Sequence, residues 1–141
     1  MSRSIDQMSF KLGVIFAFAE MVAYDVKRVA FSSPLSPQEY ARLAQDARRI
    51  TKEWGVKTML EKRLLTTDLF PEEFTRGKWV LIIYKYPEVL KKYLSLKLKK
   101  ERLIRENRYK GREREAIAVG LGDLLSYRKD VIKKKLKGRD R

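Results

Sequence analysis

The apolar residues of this chain are concentrated in one uninterrupted run, residues 12–24, within an otherwise highly charged sequence. The run contains a single carboxylate, Glu20. It is too short to span a bilayer, which takes about 20 residues. A segment that is apolar on every face is typical of a helix buried inside a helical bundle. We therefore predict a central helix that begins at a cap, Ser4 or Asp6, and extends to about residue 30.

A capping signature predicts the start of the second helix. Ser36 is followed by Pro37 at the first helical position and by Glu39 three residues after the cap, which is the pattern of a capping box. Apolar residues then recur at helical spacing as far as Trp54. Gly55 predicts the end of this helix, because glycine accepts the left-handed conformation that follows many helices.

The middle of the chain is also assigned to helices. Apolar positions predict a third helix over residues 56–65. Residues 79–84 are β-branched and aromatic and would suit a buried strand. No other segment shows a strand pattern that would pair with it, and a lone strand leaves its backbone groups unsatisfied. We therefore interpret 79–84 as a buried helix.

The C-terminal part shows helical spacing up to a tail, residues 138–141, that we expect to fray. The predicted helices cover residues 87–107, 113–125 and 127–136. Gly120 and Gly122 each weaken their helix by about 1 kcal/mol, which suggests that another backbone approaches closely there. The whole pattern predicts an all-α fold, a single-domain helical bundle over residues 1–137.

The composition excludes several kinds of chemistry. The chain has 141 residues, no Cys and no His. Disulfides, thiolate or imidazole metal sites and nucleophile–histidine catalysis are therefore excluded. Any metal would be held by carboxylate oxygens, which favours magnesium, manganese or calcium. A charged fraction of 36% with a single Asn is typical of a hot-growing organism. The first residues show no signal-peptide pattern, so we expect a cytoplasmic protein.

The net charge of +15 is unevenly distributed. Residues 97–141 hold 17 Lys/Arg and 7 Asp/Glu, whereas residues 1–96 hold 16 and 11. A basic C-terminal third predicts a polyanion partner, most often nucleic acid. The alternative is the solvated surface of a thermophilic protein, although such a surface usually brings matching acids. The side chains that we expect to contact phosphates are Lys99, Lys100, Arg102, Arg105, Arg108, Lys110 and Arg112.

Carboxylates are the remaining candidates for catalysis. Glu20 lies in the apolar run, and Glu113 and Glu115 open a later helix. If these two helices pack side by side, Glu20 and Glu115 would share a cation. Such a site suits metal-assisted phosphodiester hydrolysis, in which the ion activates water and stabilises the leaving oxygen. The alternative for Glu20 is a buried acid paired with a nearby Arg or Lys.

Two segments resemble the motifs of the ribonuclease III endonuclease domain. Residues 16–23, Phe-Ala-Phe-Ala-Glu-Met-Val-Ala, stand where that family has E-x-F-L-G-D-A-V-L. Residues 112–120, Arg-Glu-Arg-Glu-Ala-Ile-Ala-Val-Gly, stand where it has D-A-F-E-A-L-I-G-A. Residues 36–60 are similar to its linking helices. The resemblance covers about residues 8–135 and is one of pattern and order rather than identity.

This resemblance implies an all-helical homodimer that acts on double-stranded RNA with Mg²⁺ or Mn²⁺. Glu20 and Glu115 would be the catalytic metal ligands, and Glu113, beside the position of the second motif's aspartate, would be a further ligand. Phe16 and Arg112 stand where the family has its other two acids. Two of four metal-binding acids therefore match, which would weaken metal binding.

The leading hypothesis is a ribonuclease III-like homodimer that binds structured RNA and cuts it with magnesium. The alternative is a non-catalytic RNA- or ribosome-binding helical protein, which needs no divalent ion. A third hypothesis is a structural protein whose basic face binds an acidic protein, and the salt dependence of binding would distinguish it from RNA binding. No membrane partner is expected, and a peripheral membrane role of the basic C-terminus is the least favoured alternative.

Overall fold

The computed structural model describes residues 6–70 and 72–137. The chain divides into two compact units. Unit 1 comprises the described part of Met1–Leu64 together with Thr75–Lys85, and unit 2 comprises the described parts of Leu65–Phe74 and Tyr86–Arg141. The expectation of a single domain over residues 1–137 stays a prediction. The predicted cap at Ser4 and the frayed tail 138–141 lie outside the described residues.

Unit 1 combines two helices with a small sheet. Its elements in chain order are α1 (Gln7–Ala23), β1 (Val29–Phe31), α2 (Pro37–Trp54), β2 (Lys57–Glu61) and β3 (Val80–Tyr84). The strands form an antiparallel sheet in the order β1-β3-β2, so that β3 lies in the centre. Ile83, for example, lies opposite Ala30 on one side and Thr58 on the other.

The prediction of an all-α bundle is wrong because residues 80–84, within the predicted helix 79–84, form the central strand of this sheet. A strand was not predicted there because no other segment of the sequence showed a pattern that would pair with it. One partner, β1, is only three residues long, and the other, β2, was predicted as part of a helix over residues 56–65. The first helix also ends at Ala23, not near residue 30, because Asp25 takes a left-handed backbone conformation with φ 61°.

The core of unit 1 lies between α1, α2 and the sheet. Ile15 and Ala19 of α1, Leu43 of α2 and Ile83 of β3 are buried together there. The predicted caps are confirmed. Asp6 accepts a hydrogen bond from the backbone N–H of Met8, Ser36 and Glu39 form the capping box, and Gly55 ends α2 with φ 70°.

Unit 2 is built from the segment 65–74, which contains a 3₁₀ turn at Glu72–Phe74, and from three helices. The helices are α3 (Pro87–Arg105), α4 (Gly111–Leu124) and α5 (Lys129–Lys137), as predicted apart from small shifts at their ends. A Cβ added at Gly122 would lie 2.8 Å from Ile132 Cδ1, and one added at Gly120 would lie 2.9 Å from Leu96 Cδ2. These glycines therefore admit neighbouring side chains, not the backbone that the sequence analysis expected.

Among the described residues, no helix has both the length and the apolar character needed to cross a membrane.

Candidate nucleic-acid interface

Helix α3 has a buried apolar side, and its exposed side carries cations together with Leu98 and Ile104, which are 65% and 55% exposed. Val89, Tyr93 and Leu103 are buried. The exposed cations of this helix are Lys91, Lys92, Lys99, Arg102 and Arg105. Over residues 86–137 the chain carries 17 Lys/Arg and 7 Asp/Glu, so this helix contributes to a strongly positive part of the molecule.

The turn after α3 continues the positive charge to the start of α4. Asn107 and Gly111 both have left-handed backbone conformations, with φ 56° and 58°, and these allow the chain to reverse within a few residues. Lys110 is the N-cap of α4, and no side chain caps the helix there. The unpaired N–H groups and the helix dipole make this end positive. Lys110 and the exposed Arg112 add to that charge, which an anion such as phosphate would offset.

Five of the seven cations predicted to contact phosphates are available to do so. Within the part of the chain that the structure describes, no carboxylate pairs with any of them. All five side chains are exposed, and together we call them the basic surface: Lys99, Arg102, Arg105, Lys110 and Arg112.

The other two predicted cations have partners inside unit 2. Arg108 donates to Glu106 at 3.1 Å and to Glu113 at 2.5 Å. Lys100 is half-buried and donates from Nζ to the Thr66 carbonyl oxygen at 2.6 Å and to Thr66 Oγ1 at 3.0 Å. Burial lowers the pKa of Lys100 from its ordinary value. Lys100 therefore connects the segment 65–74 to α3, and its predicted contact with phosphate stays a prediction.

A cluster around Tyr109 strengthens this attachment. Arg114 forms a bidentate pair with Asp68, with nitrogen–oxygen distances of 2.9 and 2.7 Å. The Tyr109 ring lies 5.2 Å from Lys100 Nζ and 5.1 Å from Arg114 Cζ, within the range of cation–π attraction. Burial, with the charge of Asp68, raises the pKa of Tyr109. Thr67 and Glu72 help to line the open cleft of about 180 Å³ beside these groups.

The sequence analysis missed Tyr109, Arg114 and Asp68. An aromatic residue between two cations, Arg108 and Lys110, was the available signal for Tyr109. No local signal connects Arg114 to Asp68, because 46 residues separate them along the chain.

A second aromatic–cation cluster joins α5 to the same segment. The rings of Phe70 and Tyr127 lie 5.9 Å apart, and Lys135 Nζ is 5.6 and 5.3 Å from their centroids. Leu69 and Ile132 are buried beside them. Aromatic rings and cations therefore both hold unit 2 together, while the basic surface remains exposed.

The predicted metal ligands are distributed over both units. Glu20 lies on α1 of unit 1 and is exposed, so the expectation of a carboxylate in buried apolar surroundings is wrong. Glu113 and Glu115 both lie on α4 of unit 2, where Glu113 pairs with Arg108 and Glu115 is exposed. The described residues contain no group of three or more carboxylates placed to hold a metal ion. The roles assigned to these three glutamates stay predictions.

The chain matches no protein-family model, no curated protein and no solved structure.

Proposed function

We propose that this is a cytoplasmic RNA-binding protein, and that unit 2 binds the phosphate backbone of structured RNA. The observation that carries the proposal is the basic surface, which consists of five exposed cations without a carboxylate partner in the described chain. Double-stranded RNA is recognised mainly through its shape and its phosphates, which cations on helices can contact. The uncapped, positive start of α4 provides a further place for a phosphate.

Among the described residues, the ion pairs of unit 2 do not extend to the basic surface, nor to exposed lysines such as Lys91 and Lys133. Arg108, Arg114 and Arg128 each have a carboxylate partner. The basic surface does not share this pattern, although acids such as Glu101 lie on the same helix. Lys99, Arg102 and Arg105 recur every three residues on α3, where like charges repel one another. Their retention fits a surface that an external polyanion neutralises.

The test is the salt dependence of RNA binding. We expect the logarithm of the association constant for an RNA duplex to fall linearly with the logarithm of salt concentration, because bound phosphates release counterions. In the variant Arg102→Gln/Arg105→Gln/Arg112→Gln, three phosphate contacts are lost. The slope should then become shallower by roughly 2 to 3, at about 0.7–0.9 for each contact. Fluorescence anisotropy with a labelled duplex measures both quantities.

The matched control is Arg42→Gln/Arg48→Gln/Lys52→Gln, which removes the same charge from exposed positions of α2 in unit 1. It should keep the wild-type slope. If the salt dependence of the association constant becomes shallower by the same amount in both triple variants, net charge alone determines binding. The basic surface is then not the interface. If the wild type does not bind RNA even at low salt, the proposal fails. If an acidic protein binds as tightly as the RNA duplex, and its association constant falls only slightly with salt, the protein-partner hypothesis is favoured.

Metal-dependent cleavage, with Glu20 and Glu115 as ligands, stays a prediction of the ribonuclease III resemblance. It is tested by heating a long RNA duplex with the protein and Mg²⁺ or Mn²⁺, with a chelator as control. Cleavage that disappears in Glu20→Gln would establish the nuclease. Intact RNA together with salt-sensitive binding would leave a binding protein.

A further inference from the structure

The contacts proposed for the basic surface leave the open cleft of unit 2 unused. This cleft has a volume of about 180 Å³ and is formed by the segment 65–74, α3, and the turn and first residues of α4. The side chains that line it are Thr66, Thr67, Asp68, Glu72, Lys100, Tyr109 and Arg114. It is smaller than the pockets of about 300–1,000 Å³ that take drug-sized ligands, so it suits a single small group.

The threonines of the cleft offer hydrogen-bond donors. Thr67 is 5% exposed, and its Oγ1 accepts from the backbone N–H of Leu69 at 3.1 Å. Thr66 Oγ1 accepts from Lys100 Nζ at 3.0 Å. Each hydroxyl also carries an O–H donor, and among the described residues neither donor has an acceptor. A buried donor without an acceptor is costly, so Thr67 favours a ligand that brings an acceptor into the cleft.

The carboxylates of the cleft offer acceptors. Asp68 holds Arg114 in the bidentate pair, and Glu72 is exposed on the 3₁₀ turn. A carboxylate has about four lone-pair sites, so Asp68 retains room for another N–H donor while it binds Arg114. The cleft therefore matches a ligand whose edge carries both N–H donors and acceptors.

Tyr109 adds a flat aromatic surface to these polar groups. Its ring is half-buried, and its cation–π contacts with Lys100 and Arg114 hold it in place before any ligand binds. Unstacked RNA bases bind to proteins by stacking on aromatic rings and guanidinium planes, while their edges form hydrogen bonds. A nucleobase is flat and carries donors and acceptors along its edge, so it matches the ring, the hydroxyls and the carboxylates together.

The basic surface brings an RNA strand to this cleft. Lys99 directly precedes Lys100, and Lys110 directly follows Tyr109. Consecutive Cα atoms are about 3.8 Å apart, so a phosphate backbone bound by Lys99 and Lys110 passes the residues that line the cleft. The bases of a regular duplex are paired and stacked, and taking one out costs free energy. That cost is least for a base that has no partner.

We propose that the cleft binds one unpaired nucleobase of the RNA whose phosphates contact the basic surface. The base stacks on Tyr109, and the Thr67 hydroxyl and the Glu72 carboxylate bind its edge. This inference rests on the proposed RNA binding and names the kind of RNA. The preferred RNA is a duplex with a bulged or looped-out nucleotide, not a uniformly paired one.

The first test compares three labelled RNA duplexes by fluorescence anisotropy: one fully paired, one with a single bulged nucleotide, and one whose bulged nucleotide lacks its base. We expect the bulged duplex to bind at least about 5-fold more tightly than the other two. Stacking of one base on an aromatic side chain contributes roughly 5-fold to 100-fold in affinity. The abasic bulge keeps the phosphate and the flexibility of the bulge, so it isolates the base.

Equal, salt-dependent binding of all three duplexes overturns this inference and leaves the proposed function standing. Equal binding of the bulged and abasic duplexes also overturns it, because the base would then contribute nothing. If none of the three binds, the proposed function fails, and this inference fails with it.

The second test locates the base with protein variants. Tyr109→Leu should abolish the preference for the bulged over the abasic duplex, whereas Tyr109→Phe keeps the ring and should keep the preference. Glu72→Gln should reduce it, whereas Glu73→Gln removes the same charge from the next, exposed residue of the 3₁₀ turn and should not. Each variant is judged by the ratio of two affinities, so a general effect of charge on RNA binding cancels.

A preference that survives in Tyr109→Leu places the base outside the cleft and overturns the inference. An equal reduction in Glu72→Gln and Glu73→Gln also overturns it. The two glutamate variants alone decide the question if Tyr109→Leu does not fold, because both change exposed side chains.

Discussion

Glu39 shows how a single side chain can connect two helices of unit 1. Lys11 of α1 donates to Glu39 Oε2 at 2.6 Å, and the backbone N–H of Ser36 donates to Oε1 at 2.8 Å. These hydrogen bonds, the one from Lys11 first, hold the pKa of Glu39 at about 2 instead of its ordinary 4.5. The carboxylate therefore completes the capping box and binds α1 at the same time.

This lowered pKa predicts a defined loss of stability in acid. The contribution of the Glu39 carboxylate to the free energy of unfolding is complete above about pH 4.5. It disappears as the pH falls through its folded-state pKa of about 2, because the folded protein must then take up a proton. Glu39→Gln should lower the unfolding midpoint near neutral pH, and its difference from wild type should shrink as the pH falls. Denaturant unfolding as a function of pH measures this. Glu53→Gln, at an exposed position of α2, should show no such trend, and a pH-independent difference for Glu39→Gln would contradict the assignment.

Trp54 gives a second prediction for a single residue. Its indole N–H is buried, and within the described residues it has no acceptor. An unpaired buried donor costs about 1–3 kcal/mol, so Trp54→Phe removes that cost along with some packing. We expect the free energy of unfolding to change by less than about 1 kcal/mol, whereas Trp54→Ala should cost about 3–5 kcal/mol. Thermal unfolding of the wild type and of both variants measures these changes. If Trp54→Phe loses as much stability as Trp54→Ala, the buried indole N–H does not destabilise the folded protein.

At the scale of elements, local signals predicted the helices well. The capping box at Ser36, the left-handed Gly55 and the restart at Pro87 each depend on residues a few positions apart, and all three are confirmed. The end of α1 had no such marker, because Asp25, whose left-handed conformation follows the helix, is not a glycine.

The strands could not be predicted in the same way, because each depends on a distant segment. The β-branched residues of 80–84 favoured a strand, but its partner β1 lies about 50 residues earlier and is too short to show a pattern. The partner β2 alternates weakly, since Lys57, Thr58 and Glu61 interrupt its apolar residues. When a helix is apolar on every side, its sequence does not indicate which side faces the core. For this reason Glu20 was expected to be buried.

Helix α4 provides a prediction about packing. A Cβ at Gly122 would meet Ile132 Cδ1 at 2.8 Å, Ile132 Cγ1 at 2.9 Å and Leu69 Cδ1 at 2.9 Å. Overpacking of this kind typically costs 1–3 kcal/mol, of which better helix propensity recovers about 1 kcal/mol. Gly122→Ala should therefore destabilise the protein by up to about 2 kcal/mol in denaturant unfolding. Gly120→Ala meets only Leu96 and should cost less. A stabilised Gly122→Ala would show that Ile132 and Leu69 move aside freely.

The candidate site was predictable only in part, for related physical reasons. Cations are visible in a sequence, and five of the seven predicted ones are exposed without a carboxylate partner among the described residues, but their contact with phosphates stays a prediction. Whether a cation is already paired depends on the fold. Lys100 donates to Thr66, and Arg108 donates to Glu106 and Glu113, which the sequence did not indicate; their predicted contacts with phosphate stay predictions.

For the whole molecule, the uneven charge predicts an unusual response to salt. Excess positive charge over residues 86–137 destabilises the folded state by repulsion. Raising the salt concentration from about 0.01 M to about 0.15 M shortens the Debye length from about 30 Å to about 8 Å. Exposed ion pairs lose little by this, since each contributes about 1 kcal/mol or less. The thermal unfolding midpoint should therefore rise with salt.

Calorimetry at both salt concentrations measures this rise. The variant Arg102→Gln/Arg105→Gln/Arg112→Gln should show a smaller rise, because it has fewer repelling charges. A midpoint that falls with salt would mean that ion pairs, such as the one between Arg114 and Asp68, outweigh the repulsion.

The central position of β3 also determines the order in which the protein can fold during synthesis. β1 and β2 do not pair with each other, and both wait for residues 80–84 to leave the ribosome. Until then each is an open strand edge, which is a site for unwanted pairing. The segment 65–74 is made before β3 but belongs to unit 2, so it waits for the helices that follow residue 86. A nascent chain that stops at residue 64 therefore lacks β3, the strand that pairs with both β1 and β2. A fragment that begins at residue 86 lacks Asp68, the carboxylate that Arg114 binds.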